Sequence, residues 1–401
     1  MKKILFIVLD GLGDLPIKEL NNKTPLEAAR TTNMDAIANK GIIGLVKTIP
    51  DGLIPGSDVA NMSILGYDPV RSFSQSARGP LEAVNLGIEL EEGDLAFRCN
   101  LVTVSDGKMV DYSAGHISSN EAALLIKKID KNLSSDSIRF YPGVSYRHIM
   151  VVKKSAGLDI SDLQCWPPHD IMGKPFDKYL PEGKDAEFLK GLMHDSVAVL
   201  EHDEINQVRI DLKENPANMI WLWGGGKKLD LISFKQKYGV DGSVISAVDL
   251  VKGIGRSIGF QVINVPGATA YYDTNYQGKA EAAIKQLKNK DFVFVHVEAA
   301  DEAGHNGDLR EKITAIERFD QIIVGALLDY FKRSKNFRVM LLPDHATPIS
   351  LRTHTSDLVP VCMMGKNIVH SGTRKFCESE AKKSDRIFNS GVQLMEYFIR
   401  H

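Results

Sequence analysis

Three carboxylates and three imidazoles lie in short segments whose residue types suit metal binding. The residues are Asp10, Asp301, His305, Asp344, His345 and His354. Asp301 and His305 are four positions apart, which places both on one face of a helical turn. Mixed Asp and His ligands suit Zn²⁺ or Mn²⁺, and this number of ligands is too large for one tetrahedral ion. The set therefore predicts two metal ions.

Each segment taken alone has a simpler interpretation. Asp301 and His305 are also consistent with an exposed helical ion pair or an N-cap. Asp10, which precedes a glycine, is also consistent with an ordinary turn residue. The segment "PDHATP" (343–348) is stronger, since its acid and histidine are soon followed by His354 in an irregular stretch. The conjunction of all these segments favours metal binding.

A serine in the segment "GLIPGSDVANMS" (52–63) is a candidate nucleophile. The hydroxyl of Ser57 is a poor nucleophile unless a base or a metal activates it, and no Ser-His-Asp arrangement is evident nearby. Two metals would stabilise both the attacking alkoxide and the oxygens of a phosphoryl group. The alternative is a helix N-cap with Asp58 in the first turn. Both roles are compatible, because phosphate binds at helix N-termini.

The acids follow short apolar runs that are typical of central strands in a covered parallel sheet. The runs are "ILFIVL" (4–9), "FVFVHV" (292–297) and "FRVMLL" (337–342). Ligands of open parallel sheets gather beyond the carboxyl ends of the strands, so the three segments are expected to deliver their acids to one place. Apolar positions recurring at three and four predict helices over 24–40, 278–290 and 310–333. This alternation predicts an α/β fold with a mainly parallel central sheet.

The middle of the chain has a different pattern, which predicts an inserted α+β domain over residues 76–244. The metal-binding core would then comprise residues 1–75 and 245–401. Short strands are expected at "LAFRCNLVTV" (95–104), "RHIMVVKK" (147–154), "SVAVL" (196–200) and "NMIWLW" (218–223). The segment "GGGKK" (224–228) is interpreted as a plain loop rather than an anion-binding nest.

Composition excludes several classes of protein. The chain has 401 residues, 43% of them hydrophobic, and a formal net charge of -2, which argues against nucleic acid or an anionic membrane as a partner. Four cysteines without C-x-x-C spacing favour a reducing compartment and predict a cytoplasmic location. No stretch approaches the roughly 18 apolar residues that cross a bilayer. A soluble protein with a small-molecule substrate is expected; the oligomeric state is left open.

The motifs resemble those of the archaeal-type, cofactor-independent phosphoglycerate mutases of the alkaline phosphatase superfamily. The matching segments are "VLDGLGD" (8–14), "PGSDVANMSILGYDP" (55–69), "LVKGIGRSIG" (250–259), "DTNYQGKAEAA" (273–283), "DEAGHNGD" (301–308), "PDHATP" (343–348) and "RTHTSDLVP" (352–360). The resemblance implies an alkaline phosphatase-like core interrupted by a substrate-binding domain. It also implies two divalent ions, with Mn²⁺ expected first and Zn²⁺, Mg²⁺ or Co²⁺ as alternatives, and no need for 2,3-bisphosphoglycerate.

The resemblance assigns roles to individual residues. One ion would be held by Asp301, His305 and His354, and the other by Asp10, Ser57, Asp344 and His345. Ser57 would accept the phosphoryl group of 3-phosphoglycerate and return it to the 2-hydroxyl of the retained glycerate. Candidate substrate contacts are Arg98, His116, Arg147, His148, His169 and Lys279. Two positions depart from the family pattern: His116 replaces an arginine, and Pro167 replaces an aspartate.

Two other functions fit parts of the sequence. Related metal-dependent phosphatases and homoserine kinase-like phosphotransferases would keep the metal ligands and differ in the inserted domain, where both departures lie. A catalytically silent binding protein with the same fold would be expected to have lost some ligands, whereas every matched ligand position holds a competent residue type. The residues therefore favour the mutase.

Overall fold

The chain folds into two compact units, one of which interrupts the other. The computed structural model describes residues 3–72, 78–332, 334, 336–370, 372 and 375–400. The first unit comprises Met1–Ser72 and Leu231–His401, and the second comprises Phe73–Asp230. The expected first boundary, between residues 75 and 76, lies outside the described residues. The second boundary precedes Leu231 rather than residue 245.

The strands and helices are distributed along the whole chain. The strands are β1 (Lys3–Leu9), β2 (Ile42–Val46), β3 (Leu95–Ser105), β4 (Lys108–Asp111), β5 (Ile138–Val144), β6 (Arg147–Val152), β7 (Met219–Lys227), β8 (Gly242–Ile245), β9 (Gln261–Val262), β10 (Phe292–Val297), β11 (Phe337–Leu342), β12 (Val359–Gly365) and β13 (Ile387–Phe388). The helices are α1 (Pro25–Ala28), α2 (Thr32–Lys40), α3 (Ser57–Ile64), α4 (Pro69–Ser72), α5 (Arg78–Asn85), α6 (Ser119–Leu133), α7 (Ala186–Leu200), α8 (Glu204–Asp211), α9 (Phe234–Tyr238), α10 (Asp249–Ser257), α11 (Tyr276–Asn289), α12 (Ala299–Asn306), α13 (Leu309–Arg318), α14 (Gly325–Phe331), α15 (Glu378–Lys382) and α16 (Gly391–Arg400). None of the helices in the described part of the chain has the length and hydropathy needed to cross a membrane.

The first unit is built on an eight-stranded sheet with the order β13-β2-β12-β11-β1-β10-β8-β9. The central strands β8, β10, β1 and β11 run parallel, and β12 runs antiparallel to both of its neighbours. Strands β1 and β10 are apolar along almost their whole length because packing covers both faces of the sheet. The predicted α/β fold with a mainly parallel sheet is confirmed.

The order of the central strands brings three chain segments to one edge. Strand β1 lies between β10 and β11, with Leu9 paired to Val297 and Val8 paired to Leu342. The residues that follow these strands therefore emerge side by side at the carboxyl edge of the sheet. Strand β8 pairs in parallel with β10 on the side away from β1. Residues 242–245 therefore belong to the first unit and not to the insertion.

The second unit is an antiparallel sheet with helices packed on it. Its strands follow the order β4-β3-β6-β5, and β7 pairs with the other side of β3. Apolar side chains of β3 and β7 share one core with those of α6 and α7, including Phe97, Leu125 and Leu189. This unit has the α+β character expected for the insertion, whereas its role in binding substrate stays a prediction.

Two local predictions for the second unit were wrong. The segment "SVAVL" (196–200) ends α7 instead of forming a strand, because α7 buries residues at helical spacing, among them Leu189, Met193 and Leu200. The glycines of "GGGKK" belong to β7 instead of a loop. A Cβ on Gly225 would lie 2.1 Å from a ring carbon of Phe97, so close packing against that ring requires glycine there.

Two predicted helices of the first unit are interrupted. The 24–40 segment forms α1 and α2, separated by an extended backbone at Ala29 (φ -69°, ψ 155°). The 310–333 segment forms α13 and α14, joined by a π-helical turn over Phe319–Val324, and residue 333 lies outside the described residues. The 278–290 helix is present as α11.

Candidate active site

Asp10, Asp344 and His345 form one group of possible metal ligands at the carboxyl edge of the sheet. One ligand atom from each lies within 4.8 Å of the others. Asp10 follows β1 directly, and the other two follow β11 after one proline. The Nε2 atom of His345 lies 3.4 Å from Oδ1 of Asp10 and 3.7 Å from Oδ2 of Asp344. All three side chains are buried.

Asp301, His305 and His354 form a second group with the same spacing between ligand atoms. Asp301 and His305 lie on α12, one turn apart, and His354 lies in the loop before β12. The Nε2 atoms of the two histidines are 2.9 Å apart, and Oδ2 of Asp301 lies 3.2 Å from Nε2 of His305. The carbonyl of Arg352 lies 3.0 Å from Nδ1 of His305 and orients that ring. The ligand atoms thus converge on one point.

The two groups are adjacent. The rings of His345 and His354 have centroids 4.1 Å apart. Thr347 links the groups, because its hydroxyl donates to Oδ1 of Asp301 and lies 3.3 Å from Nδ1 of His345. The segments approach so closely that a Cβ on Gly11 (φ +62°) would lie 2.5 Å from the Cα of Asp301. Glycine at that position is required by both its backbone conformation and this contact.

The electrostatics of the site fit a bound cation. Burial, together with the neighbouring Asp344 and Asp301, raises the pKa of Asp10 well above its usual value. Burial opposes ionisation of Asp344 as well, but His345 and His296 hold its pKa below the usual range. Oδ1 of Asp10 is buried without a hydrogen-bond partner among the described residues. Packed carboxylates with an unpaired oxygen, mixed with imidazoles, form a donor set that suits divalent ions.

Ser57 lies beside the first group of ligands. Its Oγ is 3.2 Å from Nε2 of His345. The alternative interpretation of Ser57 as an N-cap does not hold, because Gly56 occupies that position and Ser57 is the first residue of α3. The Nδ2 group of Asn61, one turn later, donates to the carbonyl of Ser57 (2.9 Å) and to Oδ2 of Asp344 (2.7 Å). These bonds fix the start of α3 against the buried acid.

Comparison with known proteins identifies the family. A family model described as 2,3-bisphosphoglycerate-independent phosphoglycerate mutase matches residues 38–206. A protein of that name from Methanosarcina acetivorans is 50% identical over 383 residues, which cover 95% of each chain. Another from Methanothrix thermoacetophila is 46% identical over 99% of each chain. The chain belongs to the 2,3-bisphosphoglycerate-independent phosphoglycerate mutase family. The predicted family and its isomerase class are confirmed.

Solved structures support the assignment to this mutase family over the full chain. A protein from Pyrococcus horikoshii is 32% identical, with a TM-score of 0.84 over 99% of this chain and 97% of that chain. A cofactor-independent phosphoglycerate mutase from Thermoplasma acidophilum is 30% identical, with a TM-score of 0.67 over 100% of this chain and 99% of that chain. Both units therefore belong to the shared fold. By its description, the family works without 2,3-bisphosphoglycerate.

Four polar residues at or behind the candidate ligands were missed by the sequence analysis. They are Asn61, His296, Glu298 and Thr347. His296 is fully buried at the end of β10, with Nε2 3.5 Å from Oδ2 of Asp10 and 3.6 Å from Oδ2 of Asp344. Burial opposes its protonation, but Asp344 and Glu298 raise its pKa to about 9. A histidine within the otherwise apolar run "FVFVHV" was the signal available for this residue.

Four predicted substrate contacts lie along a series of aromatic rings in the second unit. The ring of Tyr146 has its centroid 6.3 Å from that of His116 and 5.5 Å from the guanidinium carbon of Arg147. Tyr112 packs edge-on against both Tyr146 (5.6 Å) and His169 (6.0 Å). The structure therefore brings His116, Arg147 and His169 beside the adjoining rings of Tyr112 and Tyr146.

Trp223 continues this series and carries the fourth residue. Its ring centroid lies 5.7 Å from that of His169 and 4.5 Å from the guanidinium carbon of Arg98. The guanidinium group of Arg98 also pairs with the carboxylate of Glu82. Arg78, which the sequence analysis did not select, lies 5.9 Å from the same indole. Two guanidinium groups therefore lie beside one aromatic surface, a setting that suits the binding of anionic groups.

The remaining two predicted contacts are buried. His148 accepts a hydrogen bond from the Gly143 amide (3.0 Å) at Nδ1, and burial lowers its pKa to about 3, so it is neutral at physiological pH. Lys279 has no exposed surface, and its Nζ donates to Oε2 of Glu298 (2.7 Å) and to the carbonyl of His296 (3.1 Å). The sequence analysis selected both residues as contacts for an anionic substrate. Their buried positions do not suit direct contact with a substrate.

Proposed function

We propose that this enzyme interconverts 3-phosphoglycerate and 2-phosphoglycerate through a phosphoserine intermediate on Ser57. The observation that carries the proposal is the position of the Ser57 hydroxyl, which lies 3.2 Å from Nε2 of His345 at the start of a helix. The family assignment supplies the reaction class. The geometry supports a role for this serine as the group that accepts the phosphoryl group.

The two groups of ligands would each hold one divalent ion. One set is Asp301, His305 and His354, and the other is Asp10, Ser57, Asp344 and His345. Mn²⁺ is the first candidate, because carboxylate oxygens and imidazoles both suit it, and Zn²⁺, Mg²⁺ and Co²⁺ are alternatives. When bound, such ions lower the pKa of a coordinated hydroxyl and neutralise phosphoryl oxygens.

Transfer in each direction breaks one phosphorus–oxygen bond and forms another. Oγ of Ser57 loses its proton and attacks the phosphorus of 3-phosphoglycerate, the bond to the 3-oxygen breaks, and that oxygen takes up a proton. The glycerate then reorients, and its 2-oxygen loses its proton and attacks the phosphorus on Ser57. The bond to Oγ breaks, and Oγ regains a proton. Ser57 is the first residue of α3, and the N-terminus of a helix favours a bound phosphoryl group through its amides and its dipole.

The second unit would bind the anionic groups of the substrate. We assign this role to the four residues that lie along its aromatic rings, namely Arg98, His116, Arg147 and His169. Retaining glycerate and excluding water is essential, because hydrolysis of the phosphoserine would release inorganic phosphate. The four cysteines are free thiols, which suits the reducing cytoplasm in which we expect the enzyme to act.

Phosphorus NMR of the purified enzyme with 3-phosphoglycerate and Mn²⁺ tests this proposal. No 2,3-bisphosphoglycerate is added. The expected product is 2-phosphoglycerate with little free phosphate, and Ser57→Ala is expected to abolish its formation. Ser63→Ala is the matched control, since Ser63 lies on the same helix with its hydroxyl turned to the Gly391 amide (3.2 Å). Stoichiometric release of phosphate would contradict the proposal in favour of a phosphatase.

A further inference from the structure

Beneath the Asp10 and Asp344 carboxylates lies a buried series of three polar side chains. The series consists of His296, Glu298 and Lys279, whose exposed fractions are 0%, 2% and 0%. His296 contributes Nε2 to the acids, at 3.5 Å from Oδ2 of Asp10 and 3.6 Å from Oδ2 of Asp344. It therefore contacts one oxygen of each carboxylate from the protein interior.

Glu298 fixes the other side of the His296 ring. Its Oε1 lies 3.2 Å from Nδ1 of His296 and accepts hydrogen bonds from the Ser246 hydroxyl (2.9 Å) and the Ala247 amide (3.0 Å). Its Oε2 accepts from Nζ of Lys279 at 2.7 Å. Both carboxylate oxygens of Glu298 are therefore in contact with other segments: β10, the residues after β8, and α11.

These contacts leave one oxygen of Asp10 for a ligand. Oδ2 of Asp10 faces His296, whereas Oδ1 has no hydrogen-bond partner among the described residues and lies 3.4 Å from Nε2 of His345. Nε2 of His296 is also buried without a hydrogen-bond partner among the described residues, so it acts on Oδ2 through an electrostatic contact at 3.5 Å, and this contact favours one direction for Oδ1. Groups behind the ligands of a metal site commonly set ligand orientation in this way.

We propose that His296 is a positioning residue for the metal ion held by Asp10, Asp344 and His345. Glu298 orients the imidazole of His296, and Lys279 balances the charge of Glu298. Lys279 thus acts through Glu298 rather than by contact with phosphoglycerate. This inference rests on the dinuclear site of the proposed function.

The surroundings of the series argue against a role in packing alone. Val295 and Val297, the neighbours of His296 in β10, are fully buried apolar residues. Burial of an imidazole in such a strand, and of an ion pair next to it, costs free energy that burial of apolar side chains would not. The polar series ends at the carboxylates of the proposed ligands, which gives it a function that apolar residues would not provide.

Calorimetric titration of the metal-free protein with Mn²⁺ tests the inference without measuring activity. His296→Leu removes the polar ring, and His296→Gln retains a nitrogen that can reach the acids. Lys290→Met is the matched control, since it breaks an ion pair with Asp241 (2.8 Å) two residues before the same strand. Each variant is also prepared with His354→Ala, which weakens the other ion and isolates the one near Asp10.

In the His354→Ala background, His296→Leu is expected to weaken Mn²⁺ binding by about 10- to 100-fold, the usual effect of removing such a supporting group. His296→Gln is expected to recover most of that loss, and Lys290→Met to leave affinity unchanged. Wild-type affinity in His296→Leu would overturn the inference. Equal weakening of Mn²⁺ binding in His296→Leu and His296→Gln would also overturn it, because that result would indicate a packing role. The dinuclear site itself is tested separately by the number of Mn²⁺ ions that the wild-type enzyme binds, which is expected to be two.

Discussion

Glu378 provides a quantitative test of the structure through the pH dependence of stability. This residue begins α15, and its Oε2 accepts a hydrogen bond from the hydroxyl of Thr24 at the start of α1 (2.7 Å). Its Oε1 is buried without a hydrogen-bond partner among the described residues. Burial raises the pKa of this carboxyl from 4.5 to about 7. We predict that Glu378→Gln removes the contribution of this residue to the pH dependence of the free energy of unfolding.

The sign follows from proton binding. Between pH 4.5 and 7 the folded protein holds a proton on Glu378 that the unfolded chain has released. The free energy of unfolding therefore falls as the pH rises through this range. A pKa difference of this size corresponds to about 3 kcal/mol of stability, which is fully present below pH 4.5 and fully lost above pH 7. Glutamine stays neutral throughout and can still accept the Thr24 hydrogen bond.

Urea denaturation of the metal-free protein between pH 5 and 8 measures this effect. The free energy of unfolding of Glu378→Gln minus that of wild type is expected to rise by about 2–3 kcal/mol across the range. The other titrating groups are common to both proteins and cancel in the difference. Glu380→Gln is the matched control, since Glu380 pairs with Lys383 (2.7 Å) near the surface of the same helix. A difference that stays constant with pH would refute the reasoning.

Three further predictions concern a buried ion pair, a glycine at the site and the metal ions. Lys312→Met removes the cationic partner of the buried Asp14 carboxylate (2.7 Å) and should cost about 3–5 kcal/mol in urea denaturation. A loss below about 1 kcal/mol would contradict this. Gly11→Ala should lower the initial mutase rate at least about tenfold, because the added Cβ would displace Asp301. Gly52→Ala is the control and should not lower the rate, because the space around its Cβ is open. Equal rates in the two variants would exclude the steric argument. Treatment with EDTA should abolish activity and added Mn²⁺ restore it; full activity without metal would rule out the dinuclear site.

The parts of the site that depend on local pattern could be predicted from the sequence. The apolar runs ending at Leu9, Val297 and Leu342 are long enough and apolar enough to identify parallel strands. Once those strands are recognised, the acids that follow them must meet at one edge of the sheet. The sequence resemblance added the family, which the comparisons confirmed. The positions of Asp10 and Asp344 followed from these two lines of reasoning.

Features that depend on tertiary contacts could not be predicted in this way. His296 continues an apolar strand, and only the order of the strands places its ring beside two acids. Lys279 fits the pattern of an exposed helical lysine, and its burial depends on the position of Glu298 in another segment. The β-branched residues near the end of α7 favour a strand locally, but the helix is stabilised by its packing against β7. In each case a partner distant in sequence decides the structure.

Identifying the residue that carries the phosphoryl group would test the central claim most directly. The enzyme is mixed with 3-phosphoglycerate and Mn²⁺, quenched in acid within milliseconds, and digested for peptide mass spectrometry. The peptide that contains Ser57 also contains Ser63, so fragmentation distinguishes the two hydroxyls. We predict transient phosphate on Ser57, with none in Ser57→Ala. Turnover to 2-phosphoglycerate with no phosphate on Ser57, or with phosphate elsewhere, would contradict the account.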